Sequence, residues 1–169
     1  SAMRIIRTTL DMARRPAPER EPVVPADLVR RVAELKAVEL RRDGITLTVD
    51  VAATLPRVAA SRFQLQQLLL NVVGNAQDEL RATSGRREIS IRGQLSAGRV
   101  MLEVRDTGPG IAPNVLPHIF EPFYTTKVAG SGLGLAISAG IAETFGGTLT
   151  GENRRDERGA LFRLTLPAV

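Results

Sequence analysis

Residues 99–111 read RVMLEVRDTGPGI, an alternating strand pattern that runs straight into a glycine-rich loop. Apolar side chains at every second position predict one buried face of this strand, formed by Val100, Leu102 and Val104. Asp106 falls in the same phase, and a buried carboxylate is costly unless a partner satisfies it. Gly108 and Gly110 would let a flat ligand approach, so that the carboxylate could accept a hydrogen bond from an exocyclic amine such as that of adenine. The alternative is an aspartate that simply begins a turn.

The segments on either side of this strand predict an irregular alternation of helices and strands. Apolar residues at three- and four-residue spacing predict helices at 27–42, 61–80 and 132–145. Further strands are predicted at 45–51, near 58, at 88–95, at 148–151 and at 161–166, with a turn at Ala97-Gly98. Because several strands are joined by hairpins, we expect a mixed, mostly antiparallel sheet covered on one face by helices. This is a two-layer α/β sandwich.

The first 25 residues are predicted to lie outside this domain. Residues 3–14 have the pattern of a short amphipathic helix, and prolines at 16, 18 and 22 predict an extended linker over residues 16–25. Ser1-Ala2 has the appearance of a cloning scar. The folded domain is therefore expected at residues 26–169.

Composition narrows the functional classes. The 169 residues, 43% of them hydrophobic, suffice for one domain with a core, and the absence of cysteine excludes disulfides and thiolate metal sites. The net charge of +5 comes from arginines scattered among acidic residues, and with one tyrosine and no tryptophan we expect no nucleic-acid partner. No apolar run approaches the roughly 20 residues of a membrane span. We expect no membrane contact by this chain and a cytoplasmic location, although a longer parent protein could be anchored upstream.

Two asparagines, Asn71 and Asn75, lie one turn apart on the helix that begins after Ser61. Asparagine is a poor helix former, so two of them beside a buried face require a reason. An amide oxygen here could complete the oxygen shell of Mg²⁺, which otherwise keeps waters and substrate phosphates. The alternative is that both amides tie the helix to a neighbouring loop.

A second glycine-rich stretch, GSGLGL at residues 130–135, opens the last predicted helix. Free backbone amides at a helix N-terminus form an anion site, and Lys127 adds a mobile cation suited to a phosphate. The stretch has neither the lysine of a Walker loop nor the preceding strand of a dinucleotide fingerprint. The lone His118 is expected to be a partly exposed loop histidine, since no second histidine or cysteine supports a metal site.

The order and spacing of these segments resemble one superfamily, the Bergerat-fold ATPases, which include gyrase, Hsp90, MutL and histidine kinases. Within it, residues 21–169 are similar to the catalytic domains of sensor histidine kinases of the nitrogen-regulation type. Four sequence boxes carry the resemblance, at residues 68–76, 106–111, 119–127 and 130–135. The ending from Gly146 to Pro167 also matches the family.

The resemblance implies a site for ATP and Mg²⁺ beneath a lid of residues 107–131. Asn75 would bind the Mg²⁺ and Asp106 the adenine amine, while Lys127 and the amides from Gly130 onward would hold the phosphates. The other nucleotide-binding positions implied are Asp78, Gly108, Gly110, Ile111, Phe120, Thr125, Thr126, Ser131, Gly132, Leu133, Gly134, Leu135 and Thr148.

The resemblance also implies how the site would act. Asn71, Asn75 and Lys127 would be the catalytic residues, and Phe120 and Phe123 would anchor the lid. Gyrase-like members carry a water-activating glutamate where this chain has Asn71, and an amide cannot act as a general base. We therefore predict poor ATP hydrolysis and transfer of the γ-phosphoryl group to an incoming nucleophile.

The family implies partners that this chain lacks. The phosphoacceptor histidine would lie on a dimeric hairpin upstream, of which residues 3–14 resemble the last turns, and a response-regulator receiver domain would take the phosphoryl group onward. Two alternatives remain: an ATP-sensing module that only regulates a partner, and a kinase of the serine or keto-acid-dehydrogenase type on the same fold.

Overall fold

The structure, a computed structural model, describes residues 19–127 and 130–169. The helix predicted at residues 3–14 and the first part of the predicted linker lie outside these described residues. The described elements are β1 (Glu21–Val23), α1 (Pro25–Arg42), β2 (Thr46–Asp50), β3 (Val58–Ala60), α2 (Arg62–Arg81), β4 (Glu88–Ser96), β5 (Arg99–Asp106), a 3-10 turn (Leu116–His118), α3 (Gly134–Thr144), β6 (Thr148–Asn153) and β7 (Ala160–Pro167).

Five strands form the main sheet in the order β2-β4-β5-β7-β6. β2 pairs in parallel with β4, whereas the other neighbouring strands are antiparallel. β1 and β3 form a separate antiparallel pair. All three helices pack their apolar sides on one face of the main sheet, so the prediction of a two-layer α/β sandwich with a mixed, mostly antiparallel sheet is confirmed.

Helix α2 lies between α1 and α3 in the covering layer. The Ser61 hydroxyl accepts a hydrogen bond from the Gln64 amide at 3.2 Å and caps the helix, as predicted. The predicted apolar stripe is buried throughout: Leu65, Leu68, Leu69, Val72, Val73, Ala76 and Leu80. This stripe fixes the rotation of α2 about its axis and places Asn75 and Asp78 at the edge of the layer.

Strand β5 lies in the middle of the sheet, between β4 and β7. The alternation predicted for it is confirmed, because Val100, Leu102, Val104 and Asp106 are all buried. Ala97 and Gly98 turn the chain from β4 into β5 with φ values of 51° and 74°. Positive φ at both residues matches the twist of the flanking strands. The end of β5 therefore delivers Asp106 to the face that the helices cover.

Several boundaries differ from the sequence-based expectation by one or two residues, and three differences have a clear structural consequence or cause. Glu21–Val23, expected within a linker, forms β1 and pairs with β3. α1 begins at Pro25 rather than at residue 27, because proline has the φ of a first helical residue and its missing N–H leaves no helical bond unmade there. α3 begins at Gly134 rather than at Gly132, because Gly132 has a φ of 73°, outside the right-handed helical region.

Candidate functional site

A cavity of about 490 Å³ opens between α2, the loop that follows β5 and the N-terminus of α3. β5 and β7 contribute to it through Asp106, Ala160 and Phe162. A volume of roughly 300–1,000 Å³ is typical of small-molecule sites. We take this cavity as the candidate functional site because it collects polar groups from distant segments of the chain.

Most of the residues predicted for the site line this cavity. They come from α2, from the end of β5, from the loop before α3 and from the first turn of α3. The predicted residues that line it are Asn75, Asp78, Asp106, Gly110, Ile111, Thr125, Thr126, Lys127, Gly130, Ser131, Gly132, Gly134 and Leu135.

Asp106 is 4% exposed and lines the cavity. Its Oδ1 accepts hydrogen bonds from the amides of Gly108 at 2.9 Å and Ala160 at 3.1 Å. Burial raises the pKa of the carboxyl, and the two amides and the positive charge of Arg154 oppose that rise. Among the described residues none donates a hydrogen bond to Oδ2. The carboxylate is therefore held in place by one oxygen, and the other oxygen can serve a ligand.

The backbone of Asp106 is held from behind by the connection between β6 and β7. The guanidinium of Arg154 donates to the Asp106 carbonyl at 3.1 Å. A side-chain carbon at Gly159 would lie 1.9 Å from that same carbonyl oxygen, so only glycine fits at this position. Arg154 and Gly159 thus hold the Asp106 carbonyl in place before any ligand arrives.

Lys127 contacts α2 in the lining of the same cavity. Its Nζ donates a hydrogen bond to the Asn75 Oδ1 at 2.7 Å and lies 3.0 Å from the Asp78 Oδ2. The second carboxylate oxygen of Asp78 pairs with Arg81 at 3.1 Å. A cation therefore already contacts the amide oxygen that was predicted to bind Mg²⁺.

The lid loop and the start of α3 cross at Phe123 and Gly132. The Phe123 amide donates to the Gly132 carbonyl at 2.8 Å, and a side-chain carbon at Gly132 would lie 2.4 Å from the Phe123 carbonyl carbon. The Ser131 hydroxyl accepts a hydrogen bond from the Leu133 amide at 3.3 Å. In the part of the chain that the structure describes, no side chain caps α3 itself. Since Gly134 and Leu135 line the cavity, the positive end of the α3 dipole favours an anion there.

Four predicted residues lie beside the cavity rather than in its lining. The amide of Asn71 donates to the Ser138 hydroxyl at 3.2 Å and to the Gly134 carbonyl at 3.4 Å, and so ties α2 to α3. The Phe120 ring packs edge-on against Phe162 with the ring centroids 6.4 Å apart, beneath the lid. Gly108 and Leu133 take part through the backbone hydrogen bonds already described.

The structure corrects the expectation for Thr148. It opens β6 opposite Thr165, and its neighbour Leu149 is the residue that faces the helices. Because side chains alternate along a strand, Thr148 points to the exposed face of the sheet, away from the cavity. The strand phase TLT at residues 148–150 already contained this information.

Sequence reasoning missed several cavity residues, among them Glu79, Tyr124, Ala160 and Phe162. Glu79 follows Asn75 by one helical turn, so helical spacing could have identified it. Phe162 and Ala160 reach the cavity only because β7 pairs with β5, which places Phe162 opposite Val104. Nothing local in the sequence indicates that pairing.

His118 has the ordinary environment that was expected of it. Its Nδ1 lies 2.8 Å from the Glu121 Oε1, and its ring centroid lies 5.1 Å from that of Tyr124. Within residues 19–127 and 130–169, no group of three or more histidine, cysteine or acidic side chains could hold a metal ion. In the same ranges no helix is both long and apolar enough to span a bilayer.

A sequence profile of the family described as histidine kinase-, DNA gyrase B- and HSP90-like ATPase matches residues 60–169, and the chain belongs to this family. The sensor protein FixL of Bradyrhizobium diazoefficiens is 35% identical over 169 residues, which cover 99% of this chain and 33% of FixL. The sensory histidine kinase/phosphatase NtrB of Rhizobium meliloti is 38% identical over 155 residues, which cover 84% of this chain and 39% of NtrB. The chain thus spans only about a third of the length of these curated relatives.

Comparison with solved structures shows which members of this ATPase family the chain resembles. The nucleotide-free catalytic domain of histidine kinase ThkA superimposes with a TM-score of 0.78 at 32% identity, covering 89% of this chain and 96% of that domain. Full-length ShkA in complex with AMPPNP gives a TM-score of 0.81 at 32% identity, covering 97% of this chain and 35% of ShkA. The predicted resemblance is confirmed: this chain is a catalytic domain of the histidine kinase type.

Proposed function

We propose that the cavity binds Mg–ATP and that the domain transfers the γ-phosphoryl group to a histidine of a longer parent protein. One observation carries the proposal. A buried carboxylate with a free oxygen, Asp106, and a cation resting on an amide oxygen, Lys127 on Asn75, line one cavity. These are the groups needed for the two ends of a nucleotide.

Asp106 is proposed to read the base. Its Oδ2 would accept a hydrogen bond from the exocyclic amine of adenine, whereas the corresponding oxygen of guanine would place an acceptor against a carboxylate. The hydrogen bonds from Gly108 and Ala160 keep the carboxylate aimed before the base arrives. Selectivity for adenine over guanine then follows, because guanine would place a carbonyl oxygen against this buried acceptor and leave it unpaired.

The phosphate end requires a divalent cation. The described lining residues include three carboxylates, from Asp78, Glu79 and Asp106, and the single ammonium of Lys127. A triphosphate entering alone would meet this excess of negative charge. Asn75 fits the role of Mg²⁺ ligand because its oxygen already accepts from a cation. Bound Mg²⁺ would neutralise phosphate charge, as in other phosphoryl transfers.

The chain's own residues would then position the triphosphate. Lys127 would leave Asn75 for the terminal phosphates, and the amides at the start of α3 would hold them from the other side. Asn71 cannot abstract a proton from water, and its amide is engaged with Ser138. The lack of a basic side chain at this position supports transfer to a nucleophile over hydrolysis.

The nucleophile and the next acceptor belong to partners. We place the phosphoacceptor histidine on a dimerisation hairpin upstream of the catalytic domain, whose first described strand is β1 at Glu21–Val23. ThkA has been solved in complex with the response regulator protein TrrA. That complex supports a receiver domain as the partner of this parent protein, and we place both in the cytoplasm.

Calorimetric titration of Mg–ATP into this chain tests the site. We expect binding that Asp106→Ala abolishes and that Asn75→Ala strips of its dependence on Mg²⁺, while the exposed Asp50→Ala control binds like the parent. An acid-labile, alkali-stable phosphoprotein formed by the longer protein would then establish transfer to histidine. An acid-stable adduct would instead indicate a serine kinase, and nucleotide binding without any adduct would indicate a sensing module.

A further inference from the structure

The wall of the cavity next to Asp106 is held almost entirely by side chains. Within the described parts of the chain, residues 108–111 make no backbone–backbone hydrogen bond. At the beginning of this segment, the Gly108 amide donates to Asp106. At its end, the Ile111 amide donates to the Asn153 Oδ1 at 2.6 Å, and the Asn153 Nδ2 donates to the Ile111 carbonyl at 2.8 Å. The segment is therefore fixed at two points, by Asp106 and by Asn153. Of these two residues, Asp106 is also proposed to bind the ligand.

The second attachment uses both groups of the Asn153 amide, because its oxygen accepts from the Ile111 N–H and its nitrogen donates to the Ile111 carbonyl. An ionised carboxylate only accepts and therefore cannot make both hydrogen bonds. The approach also requires glycine at position 110, where φ is 81° and a side-chain carbon would lie 2.8 Å from the Asn153 Oδ1. The close approach of Asn153 therefore depends on the absence of a side chain at Gly110, 43 positions away.

We infer that Asn153 is a positioning residue for nucleotide binding, which holds Gly110 and Ile111 as the wall of the adenine end of the cavity. The inference rests on the proposed function, because it assigns the base to that end. Asn153 is exposed and is not part of the cavity lining, whereas Gly110 and Ile111 are. Its effect on a ligand would therefore pass entirely through the backbone of Ile111.

Asn153→Ala removes both hydrogen bonds, and its effect on binding should be confined to the base end. We expect affinity for Mg–ATP and Mg–ADP to fall by the same factor, about threefold to tenfold. Variants at the phosphate end should instead lower the affinity for Mg–ATP more than the affinity for Mg–ADP. In the free protein, hydrogen exchange of the Ile111 amide should accelerate, while the amides of β5 and α2 keep the protection they have in the parent.

Asn153→Asp tests whether binding needs the hydrogen bond that Asn153 donates to the Ile111 carbonyl, or only a polar side chain at this position. The carboxylate can still accept from the Ile111 amide but turns a second acceptor toward the Ile111 carbonyl, so we expect it to bind nucleotide nearly as weakly as the alanine variant. Asn114→Ala, at an exposed asparagine of the loop that follows β5, should bind like the parent.

The outcomes distinguish this inference from the proposed function. No nucleotide binding by the folded parent would defeat both. Binding by the parent with unchanged affinity in Asn153→Ala would overturn the positioning role alone. In Asn153→Ala, loss of protection from hydrogen exchange throughout the sheet, rather than at Ile111, would also overturn the positioning role. The loss of affinity would then reflect general destabilisation.

Discussion

The Lys127 ammonium lies 2.7 Å from the amide oxygen of Asn75, a contact that joins the lid to α2 across 52 positions of sequence. The same oxygen is the proposed ligand of Mg²⁺. Binding of Mg–ATP would therefore exchange one cation for another at Asn75 and free the lysine for the phosphates. The lid contact and the metal site would exclude each other.

Lys127→Met tests this exchange. Methionine keeps most of the side-chain bulk but removes the charge, so affinity for Mg–ATP should fall about tenfold, or about 1.4 kcal/mol, and affinity for Mg–ADP should fall less. The chain offers a matched control in its other lysine, Lys36, which pairs with Glu39 at 2.7 Å on α1. Calorimetry on Lys36→Met should reproduce the parent. Equal losses for the two nucleotides would place Lys127 away from the terminal phosphate.

Asn71→Ala separates a structural from a catalytic role. The hydrogen bonds from Asn71 to α3 predict a loss of about 0.5–1.5 kcal/mol in the free energy of unfolding, measured in urea. Nucleotide affinity should change by less than about twofold, since Asn71 does not line the cavity. A variant that keeps its stability but loses phosphotransfer in the longer protein would show instead that Asn71 acts on the reacting groups.

Asp106→Asn should increase stability while abolishing binding of adenine nucleotides. Burial raises the pKa of Asp106, so the folded chain holds this proton at pH values where the unfolded chain has released it. The contribution of Asp106 to stability is therefore complete below the ordinary pKa of aspartate and is lost as the pH rises through the raised pKa. The asparagine variant has no such loss. Urea unfolding from pH 4 to 8 should show its advantage growing with pH and then levelling off.

Gly132→Ala tests the crossing of the lid and α3. Its φ of 73° and the 2.4 Å approach to Phe123 predict both backbone strain and a clash, so the lid must shift and nucleotide binding should weaken strongly. Gly85 provides the control, because it has a φ of 91° but a side-chain carbon there would meet nothing within 4 Å. Gly85→Ala should show only the conformational cost, about 1 kcal/mol in thermal or urea unfolding, with normal binding. Equal binding by both variants would contradict the role given to the crossing.

Local pattern was sufficient for much of the fold and site. The phase of Val100, Leu102 and Val104 predicted a buried Asp106, and Ser61 predicted the start of α2, because both follow from the periodicity of one element. The expectation for Thr148 followed the family resemblance, although the alternation around Leu149 opposed it. Where resemblance and periodicity disagreed, periodicity was right.

What could not be predicted depends on contacts between distant segments. Asn153 and Ile111 are 42 positions apart, and their meeting requires β6 to lie at the edge of the sheet beyond β7. The contact of Lys127 with Asp78 likewise depends on how the lid loop returns to α2. Short-range propensity carries no information on either, since both follow from strand order and loop path.

The 1.9 Å that would separate a side-chain carbon at position 159 from the Asp106 carbonyl oxygen has a genetic consequence. Any missense change at Gly159 must displace the backbone that carries the carboxylate proposed to bind the base, although Gly159 is not part of the cavity lining. A screen for loss-of-function alleles should therefore recover this codon as often as those of the ligand-binding residues. Selection for suppressors should in turn favour reversion to glycine over compensating changes in the pocket.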